Sequence, residues 1–582
     1  MSTSRIVRVL RRFLAFCPGI MLGFALFDFS CSFAAQPALT GRISGGFQAP
    51  TSTDTQGRRH VLKGTNAEPR GDSIFLITEP RVTSYDADDA PDMFIESPRC
   101  LYDMKSNIAS SDSRLSVRTA DGRFAIEGLG WRWDPGAALL SISNQVAALV
   151  QESSLSGSST NRSAAETNKP IHITSTRFLR DADSASFLDH VFVRDGTNTL
   201  TCDRLNLELG KGGVQKIEAL QNVHLDQGET KVTSGSATYD LKENIIRITK
   251  QPKWALQSRE GSADLLIVDR SNNTFFAEGK VYMKLPVTNV VALTLTNAPS
   301  TNQFVEVTSD KFTYQNSMSN RPALAIYTDH VRILRNEASI NCDRLIANFD
   351  ASNRVTHVTA EQHVTITDGA NKALGDEGNY DFTTEKVTLT GHPHWVMGEK
   401  TGHSDTMVFL TKTQELLAHG HVELVLPGES VSGVFQFSPS SNRVAQTNGP
   451  MTIRARSLSH AENVAVFQGG VQASDSRGTI NCELLTVVTG ASNQVQRIIA
   501  DKGVSIKQQD LAALGEKAEY NAQTGLLRLT GQPELIMPDK TLRADAFIID
   551  RPNNTFSVSP GRYVMRVQAR ANEKGKGLNG IR

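Results

Sequence analysis

Three cysteines, Cys202, Cys342 and Cys482, stand at equal steps of 140 residues, and Val191, Val331 and Val471 keep the same step. Val223, Val364 and Val504 follow it within one residue, as do Tyr239, Tyr380 and Tyr520, and Pro252, Pro393 and Pro533. Flanking words recur as well. Leu200-Thr-Cys-Asp-Arg-Leu205 returns as Ile340-Asn-Cys-Asp-Arg-Leu345 and Ile480-Asn-Cys-Glu-Leu-Leu485, and Asp269-Arg-Ser-Asn-Asn-Thr-Phe275 as Asp550-Arg-Pro-Asn-Asn-Thr-Phe556. Nothing else in the chain restricts its fold so strongly, because a tandem module must bury the same face in every copy, against itself or its neighbour. The copies run near 171–286, 305–427 and 451–567.

Inside each copy apolar residues fall at every second position, and Gly, Asn or Asp turns interrupt them after about 10–12 residues. Leu205, Leu207 and Leu209 form one such run, Ile246 and Ile248 another, Val387 and Leu389 a third. This period belongs to half-buried antiparallel strands in a sandwich or roll, and no helical pattern competes with it. Leu200 and Cys202 share one parity while Leu205, Leu207 and Leu209 take the other, and the second and third copies repeat the switch. If one face stays buried, the strand must bulge or turn a corner just after each cysteine.

The remaining segments are of other kinds. Arg5, Arg8, Arg11 and Arg12 precede an apolar run from Phe13 to Phe27, with small residues at Ser32, Ala34 and Ala35. Residues 1–35 therefore read as a signal peptide or as an uncleaved N-terminal membrane anchor, and in both cases the rest of the chain is exported. Residues 58–151 form a different but related β-unit, with Ile74-Phe-Leu-Ile77, Cys100-Leu-Tyr-Asp103 and a Gly128-Leu-Gly-Trp131 turn. A Ser-rich stretch at 152–170 has a linker's composition, and the basic tail 568–582 lacks an apolar pattern. The 582 residues carry 61 Lys+Arg against 61 Asp+Glu, and that zero balance argues against nucleic acid as a partner.

Candidate chemistry is thin. One cysteine per copy does not suit disulfides within a copy, and without a C-x-x-C pair zinc has no thiolate site, so the cysteines read as small buried hydrophobes. The second copy holds His392, His394, His403, His419 and His421, with pairs two apart that would share a strand face. A hydrolase using these histidines would require them for a metal, yet the first copy has Gln251 and Lys253, and the third Gln532 and Glu534, where His392 and His394 stand. Asp189-His190 and Asp329-His330 give way to Gly469-Gly470 in the third copy, which fits an exposed turn. With no nucleophile elbow, no phosphate-binding loop and no dinucleotide fingerprint, the reading is of a protein without catalytic residues, metal or cofactor.

The string from Cys202 through Val223, Tyr239-Asp240 and Pro252 to Gly279-Lys-Val281 resembles the OstA-like (LptA) domain of lipopolysaccharide-transport proteins. The third copy carries it most fully, in Ile498-Ile-Ala-Asp-Lys-Gly-Val504, Gly515-Glu-Lys-Ala-Glu-Tyr520 and Leu527-Arg-Leu-Thr-Gly-Gln-Pro533. Residues 58–151 more loosely resemble the related LptC-type domain. Two positions depart from the pattern: Lys250 stands where the other copies have Gly391 and Gly531, and Leu410 where they have Asp269 and Asp550. The resemblance implies an all-β chain of three tandem OstA-like β-jellyrolls behind an LptC-like β-domain, whose splayed sheets form an apolar groove and whose units stack head to tail by edge-strand pairing. It implies lipopolysaccharide or a related glycolipid as ligand, and a periplasmic location. The implied partners are inner- and outer-membrane components of the transport machinery, joined through sheet edges, and by the same edges other copies of the chain. The candidate groove residues are Leu205, Leu207, Val223, Leu225, Ile246 and Ile248 in the first copy, and Leu345, Val364, Ile366, Val387 and Leu389 in the second. Leu485, Val487, Val504, Ile506, Leu527 and Leu529 complete the set in the third, and every one of these residues would equally fill a closed core. An exported structural or polysaccharide-binding β-repeat protein is the alternative.

Overall fold

The computed structural model describes residues 43–559 apart from 55–56, 87, 152–169, 211–212, 257, 287–303, 318–321, 353, 429–448, 491–493, 539, 551–552 and 554. The expected N-terminal segment 1–35 and basic tail 568–582 lie outside the described residues. The described elements are all strands, every pairing between them is antiparallel, and together they make one continuous sheet.

The second copy shows the plan. Its strands Leu324–Arg335, Ala338–Phe349, Val355–Asp368 and Asn371–Asp381 pair in succession. The last of these then divides its partners. Glu377–Asp381 pairs with Lys386–Thr390, whereas Lys372–Leu374 pairs with His394–Met397. Two layers result, continued by Thr406–Leu410 and Lys400–His403. The closing strand Glu415–Leu426 rejoins them, binding Thr406–Leu410 with its first half and Thr401–His403 with its second. The sheet thus rolls over on itself, so each strand buries one face between the layers and leaves the other in water, as the period of two requires. The first copy repeats this plan, with Thr274–Pro286 as closing strand.

Strands serving both layers must turn a corner, and they do so at two-residue bulges. Val191 pairs with Cys202 and Leu188 with Arg204, so Asp189 and His190 together oppose Asp203. The register break falls just after the cysteine, where the parity switch placed it. It recurs at Asp329-His330 and Gly469-Gly470. These residues take φ of 62° and 52°, 65° and 53°, and 88° and 59° respectively. Asp189-His190 is therefore a bulge inside the strand Ser184–Asp195, and not a turn between strands. The left-handed conformation favours Gly, Asn and Asp, which is why Gly-Gly replaces Asp-His without changing the corner.

Closing strands also join the copies. Thr274–Pro286 pairs with Phe304–Gln315 along its length, and Glu415–Leu426 likewise with Met451–Ala461. The N-terminal unit does the same through Leu139–Gln151, which pairs with Pro170–Ser175 and Arg177–Arg180. Gln151 lies opposite Pro170, so the ends of the Ser-rich stretch are held on neighbouring strands. Pairing in this unit begins at Ile43–Gln48, upstream of residue 58, against Arg59–Pro69.

The apolar interior divides at a place the repeat boundaries do not mark. One cluster runs from Phe47 to Val223 and so combines the N-terminal unit with the first half of the first copy. The other runs from Val232 to Phe547, through both junctions between copies.

Candidate functional site

The inner face of the roll is where the candidate groove residues lie. Leu205, Leu207 and Val223 belong to the first apolar cluster, and Ile248, Leu345, Val364, Ile366, Val387, Leu389, Leu485, Val487, Val504, Ile506, Leu527 and Leu529 are buried in the second. Leu225 and Ile246 are half-buried and pack against the second cluster. Register explains the convergence. Leu205 lies opposite Ala219 and Phe187, Leu345 opposite Ala360 and Tyr327, and Leu485 opposite Ala500 and Phe467. A small and a large neighbour thus flank the leucine in every copy, and the layers interdigitate.

Between the layers, where the second copy meets the third, lies a cavity of about 570 Å³. Trp395, Leu416, Leu424, Leu458, Phe467 and Val487 supply apolar wall, while Glu399, Lys400 and His460 add polar groups. Leu416 and Leu424 flank the corner at Gly420-His421, so the two halves of one strand face each other across the space. Of the candidate groove residues, Val487 alone borders this cavity. Trp395, Lys400 and His460 were not singled out by periodicity, because their meeting depends on strands that are distant in sequence. A signal was nevertheless present: aromatic residues of the first junction have smaller counterparts here.

Electrostatics follow burial. Desolvation lowers the pKa of Lys400, and it lowers that of His460, with the Lys400 charge as a second cause. Burial pushes the Tyr327 phenol up, and raises the Cys342 thiol to about 12 and those of Cys202 and Cys482 to about 11. These three cysteines are buried, unbridged residues packed beside the corners.

The histidines of the second copy do not form the face that their spacing suggested. His392 and His421 take φ of 53° and 41° at corners, and both approach the Asp405 carboxylate, at 3.8 and 2.8 Å. His394 instead lies opposite His403 on neighbouring short strands. Two-residue spacing puts side chains on one face only where the strand is regular, and the bulge at Gly420-His421 removes that condition. Among the described residues no group of three or more His, Cys, Asp or Glu side chains could hold a metal ion.

An all-β chain of tandem rolls, joined edge to edge around a shared apolar interior, defines a repeat-built β-jellyroll scaffold. Residues 172–274, 306–415 and 452–555 each match the family described as LptA/(LptD N-terminal domain) LPS transport protein. Those segments make up more than half of the chain, and the chain belongs to this lipopolysaccharide-transport family. Among solved structures it is similar to LptH of Pseudomonas aeruginosa, described as the LptA homologous periplasmic component of the conserved lipopolysaccharide transport device. That similarity has 17% identity and a TM-score of 0.19, and covers 20% of this chain and 95% of the other. No curated protein matches the chain in sequence.

Proposed function

We propose that this chain is a non-enzymatic periplasmic bridge that carries lipopolysaccharide or a related glycolipid towards the outer membrane along the inner faces of its rolls. The observation that carries this reading is the second apolar cluster, which passes from Val232 to Phe547 through both junctions between copies. Closed domains on linkers would each end their core at a boundary; here the closing strand of one roll is neighbour to the opening strand of the next. A lipid moving along such an interior avoids exposing its chains to water. Burying an acyl chain of about a dozen methylenes is worth at most about 10 kcal/mol, at about 0.8 kcal/mol each. The aliphatics from Leu205 to Leu529 named above are the surfaces that such a chain would meet as the layers part.

Edge pairing also supports a reading of the partners. The same contact that joins Glu415–Leu426 to Met451–Ala461 would join the ends of the chain to sheet edges of inner- and outer-membrane components, or to another copy. The N-terminal unit, with its LptC-like pattern, already meets the first copy in this way.

The test is a photo-activatable side chain at Ile366, and separately at His363 on the outer surface, in cells that export lipopolysaccharide. A lipid adduct at Ile366 with none at His363 is expected. An absence of adducts at Ile366, in protein present at its normal level, would return the chain to a structural β-repeat role.

A further inference from the structure

The two junctions between copies share one register but differ in what spans the layers. At the first, the closing strand turns at Gly279-Lys280, whose φ are 79° and 48°, so its two halves lie in different layers. Phe275, in the first half, is opposite Val268 and Tyr314, and Phe312 and Tyr327 continue that layer. Met283, in the second half, is opposite Gly261, and Gly261 is opposite Trp254. Trp254 and Met283 therefore belong to the facing layer.

Two contacts cross from layer to layer. The Trp254 and Phe275 rings meet edge to face with centroids 5.3 Å apart, and the Tyr327 hydroxyl donates to the Met283 sulfur at 3.4 Å. Behind them Phe275, Phe312 and Tyr327 form a row, with centroids 6.0 and 4.6 Å apart, and Tyr314 and Phe349 add a pair at 5.9 Å. At the second junction Leu416 takes the place of Phe275, opposite His460, and Leu458 that of Phe312, opposite Ala418. Thr489, opposite Val495, replaces Phe349. Phe467 has no hydroxyl to offer, and Leu424, in the place of Met283, has no sulfur to receive one. Trp395 is kept opposite Gly402, yet both it and Leu416 border the 570 Å³ cavity. One backbone plan thus supports a closed junction and an open one, and side chains decide between them.

A lipid threaded between two layers passes only where they part. Protein interiors are close-packed, so rings already in contact leave no room beside them. At the first junction Trp254 must leave Phe275, and Tyr327 must leave Met283, at the same moment. Aromatic pairs are favoured beyond the area they bury, which makes that separation slow. The second junction already holds open space. The interior also divides beside the rings: the first apolar cluster ends at Val223, and the second begins at Val232, opposite Trp254.

We infer that the rings of the first junction form a constriction that holds the two layers closed at rest and sets the rate at which lipid passes between the first and second copies. The inference rests on the bridge reading and adds to it the place where passage is controlled.

The test uses the full-length chain in cells that export pulse-labelled lipopolysaccharide, with a photo-activatable side chain at Leu207, Ile366 or Ile506. The interval separating label at Leu207 from label at Ile366 should exceed that separating Ile366 from Ile506. The variant F275L/F312L/F349T gives the first junction residues that this scaffold accommodates at the second, and should shorten the first interval severalfold. The converse variant, L416F/L458F/T489F, should lengthen the second interval severalfold and leave the first unchanged. Both variants are compared at equal cellular level and with an unaltered β-sheet circular dichroism spectrum. Adducts that form at all three positions with intervals unmoved by either variant would overturn the constriction and leave the bridge standing. An absence of adducts at all three positions in the unaltered chain would instead overturn the bridge, and the constriction with it.

Discussion

Lys250, which breaks the repeat pattern, shows how local space is conserved when identity is not. It takes φ of 61°, the conformation that Gly391 and Gly531 adopt at 77° and 79°. A Cβ at Gly391 would lie 2.4 Å from that of Asp376, and one at Gly531 2.4 Å from that of Glu516. In the first copy the glycine is on the other partner: Gly235 faces Lys250, and a Cβ there would meet the lysine at 2.7 Å. One of the two positions must be glycine, and the copies chose differently. Gly391→Lys alone should cost about 2–4 kcal/mol, from left-handed strain plus overpacking. Combined with Asp376→Gly, which recreates the first copy's pair, it should recover to within about 1 kcal/mol, read from urea unfolding of both variants. Leu410 is offset in a similar way. Where Asp269 accepts backbone bonds from Ser271 and Asn272 at 3.0 and 2.9 Å, the second copy uses Thr411 and Gln414, whose side chains bond Glu385 O and Thr411 O at 2.9 and 2.7 Å. The cysteines give another residue-scale expectation. With its thiol raised to about 12, Cys342 should resist iodoacetamide at pH 8 in the folded chain and react once unfolded in urea. Rapid labelling of native Cys342 would contradict its packing role.

Strands and corners were the elements most legible in the sequence. The period of two marked the buried face, and the parity change after Cys202, Cys342 and Cys482 marked the bend, because a buried face tolerates no other break in alternation. What alternation left out was which strands meet. The split of Asn371–Asp381 between two partners, and the pairing of each closing strand with the next copy, depend on long-range register. Composition suggested a linker at 152–170; which strands it connects was not legible there, and Gln151 just before it pairs with Pro170, its last residue. Covariation inside elements also escaped a one-position reading. Trp254 and Trp395 lie over Gly261 and Gly402, where any Cβ would sit within 2.4 Å of the ring, whereas the third copy pairs Leu535 with Leu542. The junction itself yields an element-scale expectation. If a protease site is placed between residues 429 and 448 and cleaved, the two pieces should still co-elute on size exclusion, since Leu424 stays paired with Ile453 and Val422 with Ala455. Separation in plain buffer would mean that the strand pairing does not hold the copies together.

At the scale of the whole molecule, repetition converts a small roll into a long interior. Each copy adds about 140 residues and one more length of inward aliphatic surface, and on the proposed bridge function the zero formal charge would leave apolar contact as the main grip on an amphipathic ligand. The two junctions are not equivalent, however: the first is packed with rings and the second is open beside Trp395. The seventeen-residue inner face was readable from alternation, while the cavity was not, because it arises from what several distant strands lack. The claim that the three copies act as one path is tested most directly by photo-crosslinking at Leu207, Ile366 and Ile506 during export of pulse-labelled lipopolysaccharide. Labelled adducts should form at all three positions and be chased from each. Adducts confined to a single copy, or label that enters one and never leaves, would contradict a continuous path.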